Sequence, residues 1–275
     1  MTSNTPVWAV YAFEIFCVAA LVVIFGMIKQ RYRDDSAARW HLYAVVVGSL
    51  FSFMWEWYED IGPLELGYDH RFVSLWTIHG VSLPLVMPLA YGWYWAIPIL
   101  VLLPLSGRLQ HRFGRWQYLV IFIGGGLFNI LVEYPATTYV QLWTYFWDQN
   151  SGWTLGGMPI TNGPCAGTVT LFMYVGCRYL WDRRSGDMFR MRPDNSMHDQ
   201  SADAEPDGSR GGTATLSVVR SRPVHLRERV VIVVAYAAVI ALASELMWII
   251  WTPLLGAAMD SWFTGAPGAW ITSGH

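Results

Sequence analysis

Apolar residues run through this chain in six long blocks, at roughly 7–28, 41–58, 81–105, 117–139, 160–181 and 229–254, with short polar connections between them. About 20 mostly apolar residues in a helix cross a hydrocarbon layer about 30 Å thick. The pattern therefore predicts an all-α fold, a polytopic transmembrane helix bundle of about six spans. The third block carries Pro84, Pro88, Pro98 and Pro104 and is preceded by the semi-apolar segment 72–80. Proline frees backbone carbonyls and kinks a membrane helix, so a kinked span plus a re-entrant piece, giving seven spans, is the alternative.

The connections alternate in charge. Lys29, Arg31, Arg33 and Arg39 follow the first block, Arg108, Arg112 and Arg115 the third, and Arg178, Arg183, Arg184, Arg190 and Arg192 the fifth. The others hold Glu59, Asp60, Glu65 and Asp69, then Asp148. The positive-inside rule puts the basic connections in the cytoplasm and both termini outside, which requires an even number of spans. Trp8, Trp143 and Trp147 then mark the outer ends of blocks, and Trp40, Trp116 and Trp181 the inner ends, where amphipathic rings anchor at the headgroups. The first block has no basic lead and contains Glu14, so it reads as a retained helix and not a cleaved signal.

One membrane domain is expected, with spans one to five over 1–184 and a last span with an outer tail over 229–275. Residues 185–228 lie between them, rich in Ser, Asp, Arg, Gly and Pro. Such a segment cannot bury enough apolar area to offset its ordering entropy, and a disordered cytoplasmic loop is expected. The localisation is integral membrane, multi-pass, in the cell membrane if the source is prokaryotic.

Composition agrees. The chain is 54% hydrophobic and 14% charged, against about 25% charged in a soluble domain. Its net charge of -2 suggests no nucleic-acid partner. Cys17, Cys165 and Cys177 fit neither a zinc site nor a disulfide framework and read as small buried hydrophobes. The seven histidines are scattered, and no nucleotide-binding or nucleophile-elbow motif occurs in context, so neither metal nor cofactor is expected. The glycine run at 124–126 suits close helix packing.

The informative residues are acids inside the apolar blocks: Glu14, Glu56, Glu133 and Glu245. A charge at the bilayer centre costs roughly 2.5–3.5 kcal/mol, so these should face the bundle interior or a wet cavity. Glu56, Glu59 and Asp60 share one helical face, and Asn129 stands four residues before Glu133, within reach of its carboxyl. Several acids in one water-poor chamber cannot all ionise, and a protonated acid beside an ionised one makes an acid–base pair. Glu133 and Glu56 are the leading acid and base, Glu245 is next, and Asn129 orients Glu133. Glu59, Asp60 and His79, a possible proton carrier just before the third block, complete the catalytic candidates. The aromatic neighbours Trp55, Tyr134 and Trp248 are candidates for substrate binding. So are Asp69 and Asn162, in two mixed aromatic, Gly and polar segments (64–72 and 144–164) that could form a lid. Gly156 and Gly157 before Met158 predict a turn that lets backbone approach the cavity.

The segments MWEWYED, LFNILVEYP and WTLGGMPITNGP running into CRYLWDRRSG together resemble the membrane spirocyclase family typified by the avermectin spiroketal cyclase, over roughly residues 45–185. That resemblance implies an enzyme that closes or rearranges a ring in a polyketide-like lipid intermediate by acid catalysis, without a redox cofactor. It transfers no individual catalytic residue. A weaker resemblance is to the membrane-bound terpene cyclases of meroterpenoid pathways, helical bundles in which an intramembrane acid protonates an alkene or epoxide. The 16% aromatic content would suit cation stabilisation by ring faces. The expectation is a cofactor-independent cyclase or isomerase acting on a lipophilic small molecule, with membrane lipids as its surroundings and its oligomeric state open. A proton-coupled transporter and a non-catalytic assembly subunit are the rival classes.

Overall fold

The computed structural model describes residues 5–55, 66–78, 81–145, 154–183 and 224–258. Helix α1 (Val7–Arg31) ends on Lys29 and Arg31, basic residues that complement the negative end of a helix. Helix α2 (Ser36–Leu50) is capped by Asp35, whose carboxylate accepts from the Ala38 N–H at 2.9 Å, and runs into a 3-10 turn, Phe51–Trp55. Strands β1 (Leu66–Tyr68), β2 (Ser74–Ile78) and β3 (Val81–Pro84) lead to helix α3 (Val86–Tyr94) and helix α4 (Ala96–Phe113). Gly114 ends α4 with φ 52°, a conformation glycine adopts without Cβ strain. Helix α5 (Gln117–Pro135) passes into a wide π turn, Ala136–Val140, which ends at left-handed Gln141. Strands β4 (Trp143–Tyr145), β5 (Thr154–Leu155) and β6 (Met158–Pro159) precede helix α6 (Asn162–Asp182), and helix α7 (Leu226–Ala258) comes last.

The helices form an all-α bundle. Among the described residues three antiparallel two-stranded ladders decorate it: β1 with β4, β2 with β3, and β5 with β6. Helix α6 is the centre of the bundle. It packs on α4, α5 and α7 and touches α2, and 13 of its 21 residues are buried. The α5–α6 contact is close because glycine faces backbone. A Cβ on Gly126 would lie 2.7 Å from the Gly163 carbonyl oxygen, and one on Gly167 would lie 2.5 Å from that of Phe122. His41 of α2 and the Tyr236 hydroxyl of α7 share a buried hydrogen bond of 3.0 Å. Helix α1 leans mainly on α3. Its outward stripe of Trp8, Tyr11, Ile15, Val18 and Val22 is apolar and exposed, as a lipid-facing helix requires.

The expected count of six spans, or seven, is not what the fold contains. Among the described residues three helical stretches are long and apolar enough to cross a membrane: Val7–Arg31, Val86–Val140 and Leu226–Trp251. Helix α2 has 15 residues, about 22 Å at the helical rise of 1.5 Å, too short for the hydrocarbon layer. The third and fourth apolar blocks belong to one helical stretch of 55 residues, which turns back at Gly114. The residues before Val86 are strand β3. The apolar run of helix α6 is broken by Asn162, Gly163, Thr168 and Thr170, and most of the helix is buried against protein. An apolar run satisfies a protein interior as well as a lipid tail, and that is why the blocks overcount. The placement of both termini outside, drawn from the alternating charges, requires an even number of spans and goes with the count. Three such helices still make the chain an integral, multi-pass membrane protein.

The loop expected over 185–228 lies outside the described residues apart from its last five. Of those, Leu226 opens α7, and the His225 N–H donates to Glu228 at 2.8 Å. The outer tail beyond residue 258 also lies outside them.

Candidate functional site

Glu133 sits in the last turn of α5, and four segments of the chain converge on its carboxyl group. Asn129, four residues back on the same face, donates from Nδ2 to Oε1 at 2.6 Å. The Tyr94 hydroxyl, at the last residue of α3, donates to Oε1 at 3.2 Å. From β4, the Tyr145 hydroxyl donates to Oε2 at 2.6 Å, and Asn162, first residue of α6, donates from Nδ2 to the same oxygen at 2.9 Å. The donors are themselves linked, Asn129 to the Tyr94 oxygen and Asn162 to the Tyr145 oxygen, the latter at 2.8 Å. Four donors fill the roughly four acceptor positions of a carboxyl group. Burial, then the neighbouring Glu133 carboxyl, pushes the Tyr145 hydroxyl well above the ordinary tyrosine range, so it keeps its proton. Asn129 Oδ1 is buried and has no hydrogen-bond partner among the described residues.

This hub forms one wall of a cavity of about 60 Å³, several times the roughly 10–15 Å³ that one water needs. Phe13 of α1, Tyr68 of β1, Trp143 of β4, and Tyr91, Trp93 and Tyr94 of α3 line it. Met87, Ala90 and Val132 complete an apolar lining in which Glu133 is the one ionisable carboxyl. The rings brace one another. Phe13 meets Trp143 at 5.9 Å and 59°, Trp93 meets Tyr94 at 6.0 Å and 88°, and the Trp93 N–H is spent on Cys17 Sγ at 3.3 Å.

Local structure positions Glu133. Pro135 and the π turn interrupt the regular ladder just after it, and the Thr137 hydroxyl donates to the Glu133 carbonyl at 2.9 Å. Such wide turns release backbone from the helical repeat and recur at functional sites. The β5–β6 turn, Gly156 and Gly157 with φ 59° and 87°, packs Gly156 on Tyr134 and Thr138, and the Thr138 hydroxyl donates to its carbonyl at 2.6 Å. The expected glycine turn therefore exists, and it seats on the end of α5 and not in the cavity wall. Tyr134 points to that side, with its ring 5.8 Å from Tyr139.

The structure brings Asn129, Glu133 and Asn162 together and leaves other candidates apart. Glu245 is half-buried on α7 and is not part of the cavity wall, and neither is Glu14 on α1. Asp69 is buried, and its carboxylate accepts from Arg71 Nε at 2.8 Å and Nη2 at 2.6 Å. Arg71 also donates to the Thr5 carbonyl at 2.5 Å, and the Thr5 hydroxyl donates to the Gln141 carbonyl. The pair thus ties the start of α1 to the loop beside Tyr68. Glu56, Glu59, Asp60 and His79 lie outside the described residues, as do the side chains of Trp55 and Trp248.

Tyr94, Tyr145 and Arg71 belong to this construction and were not singled out by spacing. Only Arg71 had a local signal, a basic residue two positions from Asp69. Among the described residues no group of three or more His, Cys, Asp or Glu side chains is placed to hold a metal ion. No protein-family model, no curated protein and no solved structure matches this chain.

Proposed function

We propose that the protein is a membrane-embedded cyclase or isomerase that works by acid–base chemistry on an apolar polyketide- or isoprenoid-like molecule drawn from the bilayer. One observation carries the reading: a carboxyl group held by four hydrogen-bond donors opens onto a cavity walled by aromatic rings. A charged or hydrogen-bonding group in an otherwise apolar pocket is costly to maintain and orients a substrate where it occurs. The spirocyclase-like segments LFNILVEYP and WTLGGMPITNGP contain Asn129, Glu133 and Asn162.

Glu133 and Tyr94 both line the cavity, and their polar atoms are 3.2 Å apart. For closure of a ring by addition of a substrate hydroxyl to a carbonyl, Glu133 takes the hydroxyl proton as the C–O bond forms. Tyr94 gives its proton to the carbonyl oxygen. The proton on Glu133 then passes to the Tyr94 phenolate and restores both groups. Asn129, Asn162 and Tyr145 hold the carboxyl in place and are positioning residues. Glu56, the other expected member of the acid–base pair, lies outside the described residues, and Tyr94 is the proton-bearing group beside Glu133 among those described.

The test compares lipids and metabolites from cells lacking the protein with cells carrying the wild type, Glu133→Gln or Tyr94→Phe at matched membrane abundance. The expected result is an isomer or dehydrated product made only by the wild type, with its precursor accumulating in the Glu133→Gln strain. A wild-type product profile from Glu133→Gln overturns the reading.

A further inference from the structure

We propose that the reversal between α4 and α5 is a binding site for an anionic phospholipid. Arg108, Arg112 and Arg115 hold its phosphate, and its acyl chains lie along the two helices. The site is at the opposite end of α5 from Glu133, about 24 Å away at the helical rise of 1.5 Å per residue. It does not depend on the acid–base reading.

The reversal is fixed from the inside by an arginine of α6. Arg178 donates from Nη2 to Gln110 at the end of α4 and from Nη1 to Gln117 at the start of α5, the latter at 3.2 Å. Its Nη1 also reaches the Tyr174 hydroxyl at 3.2 Å, and its Nε reaches Asp182 at 3.3 Å. This guanidinium is spent within the protein.

Arg108, Arg112 and Arg115 differ. All three are exposed, and none has a carboxylate partner among the described residues. Arg112 lies over the Phe113 ring at 5.6 Å and Arg115 over the Trp116 ring at 5.8 Å. A guanidinium over a ring uses its face there and keeps its in-plane N–H fork for an anion. That fork matches two oxygens of a phosphate.

The surface that continues from the arginines is apolar. On α4, Val101, Leu105, Arg108 and Arg112 are spaced by four, three and four residues, so they share one helical face, and all are exposed. On α5, Trp116, Leu119 and Ile123 form a second exposed stripe that begins beside Arg115. Both helices belong to the long apolar stretch Val86–Val140. The stripes therefore meet acyl chains, the arginines stand at the headgroups, and Trp116 sits where amphipathic rings settle. The occupant has to match positive charge at one end and hydrocarbon along both helices. A phospholipid with a net negative headgroup does both. Free phosphate meets only the arginines, and a zwitterionic lipid brings a cation of its own to them. A second copy in two-fold contact at this face would set arginine against arginine.

Native mass spectrometry of the full chain in detergent decides it, with titration of phosphatidylglycerol or of phosphatidylcholine carrying the same acyl chains. The wild type is expected to bind phosphatidylglycerol at least ten-fold more tightly. Arg112→Gln should weaken that binding about five-fold, the scale of one basic side chain at an anionic membrane surface. Combined Arg108→Gln, Arg112→Gln and Arg115→Gln should erase the preference. Combined Lys29→Gln, Arg31→Gln and Arg33→Gln, which removes as much charge beyond the reversal, should leave it intact. sn-Glycerol 3-phosphate has the phosphate without acyl chains and should not displace the lipid. Equal binding of the two lipids, an equal loss in the Lys29, Arg31 and Arg33 variant, or displacement by glycerol phosphate overturns the proposal. The comparison of lipids uses the wild type alone and stands even if a variant fails to fold. None of these outcomes bears on the metabolite test of Glu133.

Discussion

The Tyr94 hydroxyl reaches Oε1 of Glu133 at 3.2 Å across 39 positions of sequence. The contact exists because the 55-residue helical stretch turns back at Gly114 and brings the end of α3 beside the end of α5. Its two partners are the groups proposed to trade a proton, and the chemistry therefore depends on that reversal.

Replacement of Glu133 should separate chemistry from architecture. Glu133→Gln keeps one acceptor oxygen, and the Tyr145 hydroxyl and Asn162 amide can turn to meet its NH₂ group. Glu133→Leu takes an acceptor from four donors, of which the Asn129 and Asn162 amides keep the Tyr94 and Tyr145 oxygens, at about 1–3 kcal/mol for each buried group that stays unsatisfied. Both variants should lose turnover. In thermal unfolding in detergent, Glu133→Leu should be the less stable by several kcal/mol, and equal stability would contradict the bonding described for the hub.

Arg71 should matter for stability and not for the cavity's chemistry. Its loss in Arg71→Met removes the guanidinium donors from the fully buried Asp69 carboxylate and from the Thr5 carbonyl. The expected cost is about 3 kcal/mol, the scale for breaking one side of a buried ion pair. Hydrogen exchange should show earlier opening at the start of α1, and unchanged protection there would argue against the tie.

The α5–α6 seam predicts a contrast between neighbouring glycines. At Gly126 a methyl group would press on the Gly163 carbonyl, whereas at Gly124 nothing lies within 4 Å. Gly126→Ala should destabilise by about 1–3 kcal/mol, as overpacking does. Gly124→Ala should be neutral or stabilising by up to about 1 kcal/mol, because alanine is the better helix former. Chemical denaturation of the two variants in the same micelle decides it.

Tyr145 sets a pH dependence. Its folded pKa is raised, so the folded protein holds the phenolic proton more tightly than the unfolded chain. The stability this contributes is complete below about pH 10, the ordinary tyrosine value, and is lost as pH rises through the higher folded value. Ultraviolet difference titration of the wild type against Tyr145→Phe should show no tyrosinate from this residue while exposed tyrosines ionise. A Tyr145 transition near pH 10 would show that the phenol is not buried as described.

Several features were legible along the chain. The apolar blocks marked a helical membrane protein, and the spacing of Asn129 and Glu133 announced a bond that the helix delivers at 2.6 Å. The glycine run pointed to close packing, and Gly125 and Gly126 lie against Thr170 and Gly163. The glycine pair at 156 and 157 marked a turn. These are local statements, and the helical repeat or a positive φ fixes each within a few residues.

Tertiary structure alone decided the rest. Among the described residues it set three candidate spans in place of six, because an apolar side chain reads the same whether protein or lipid covers it. It joined Tyr94, Tyr145 and Asn162 to Glu133 from four separate segments, a convergence that no neighbouring letters encode. It also turned Asp69 from a loop acid into the buried partner of Arg71. Contacts of long sequence separation come from how helices pack and where the chain reverses, and those are properties of the folded bundle as a whole.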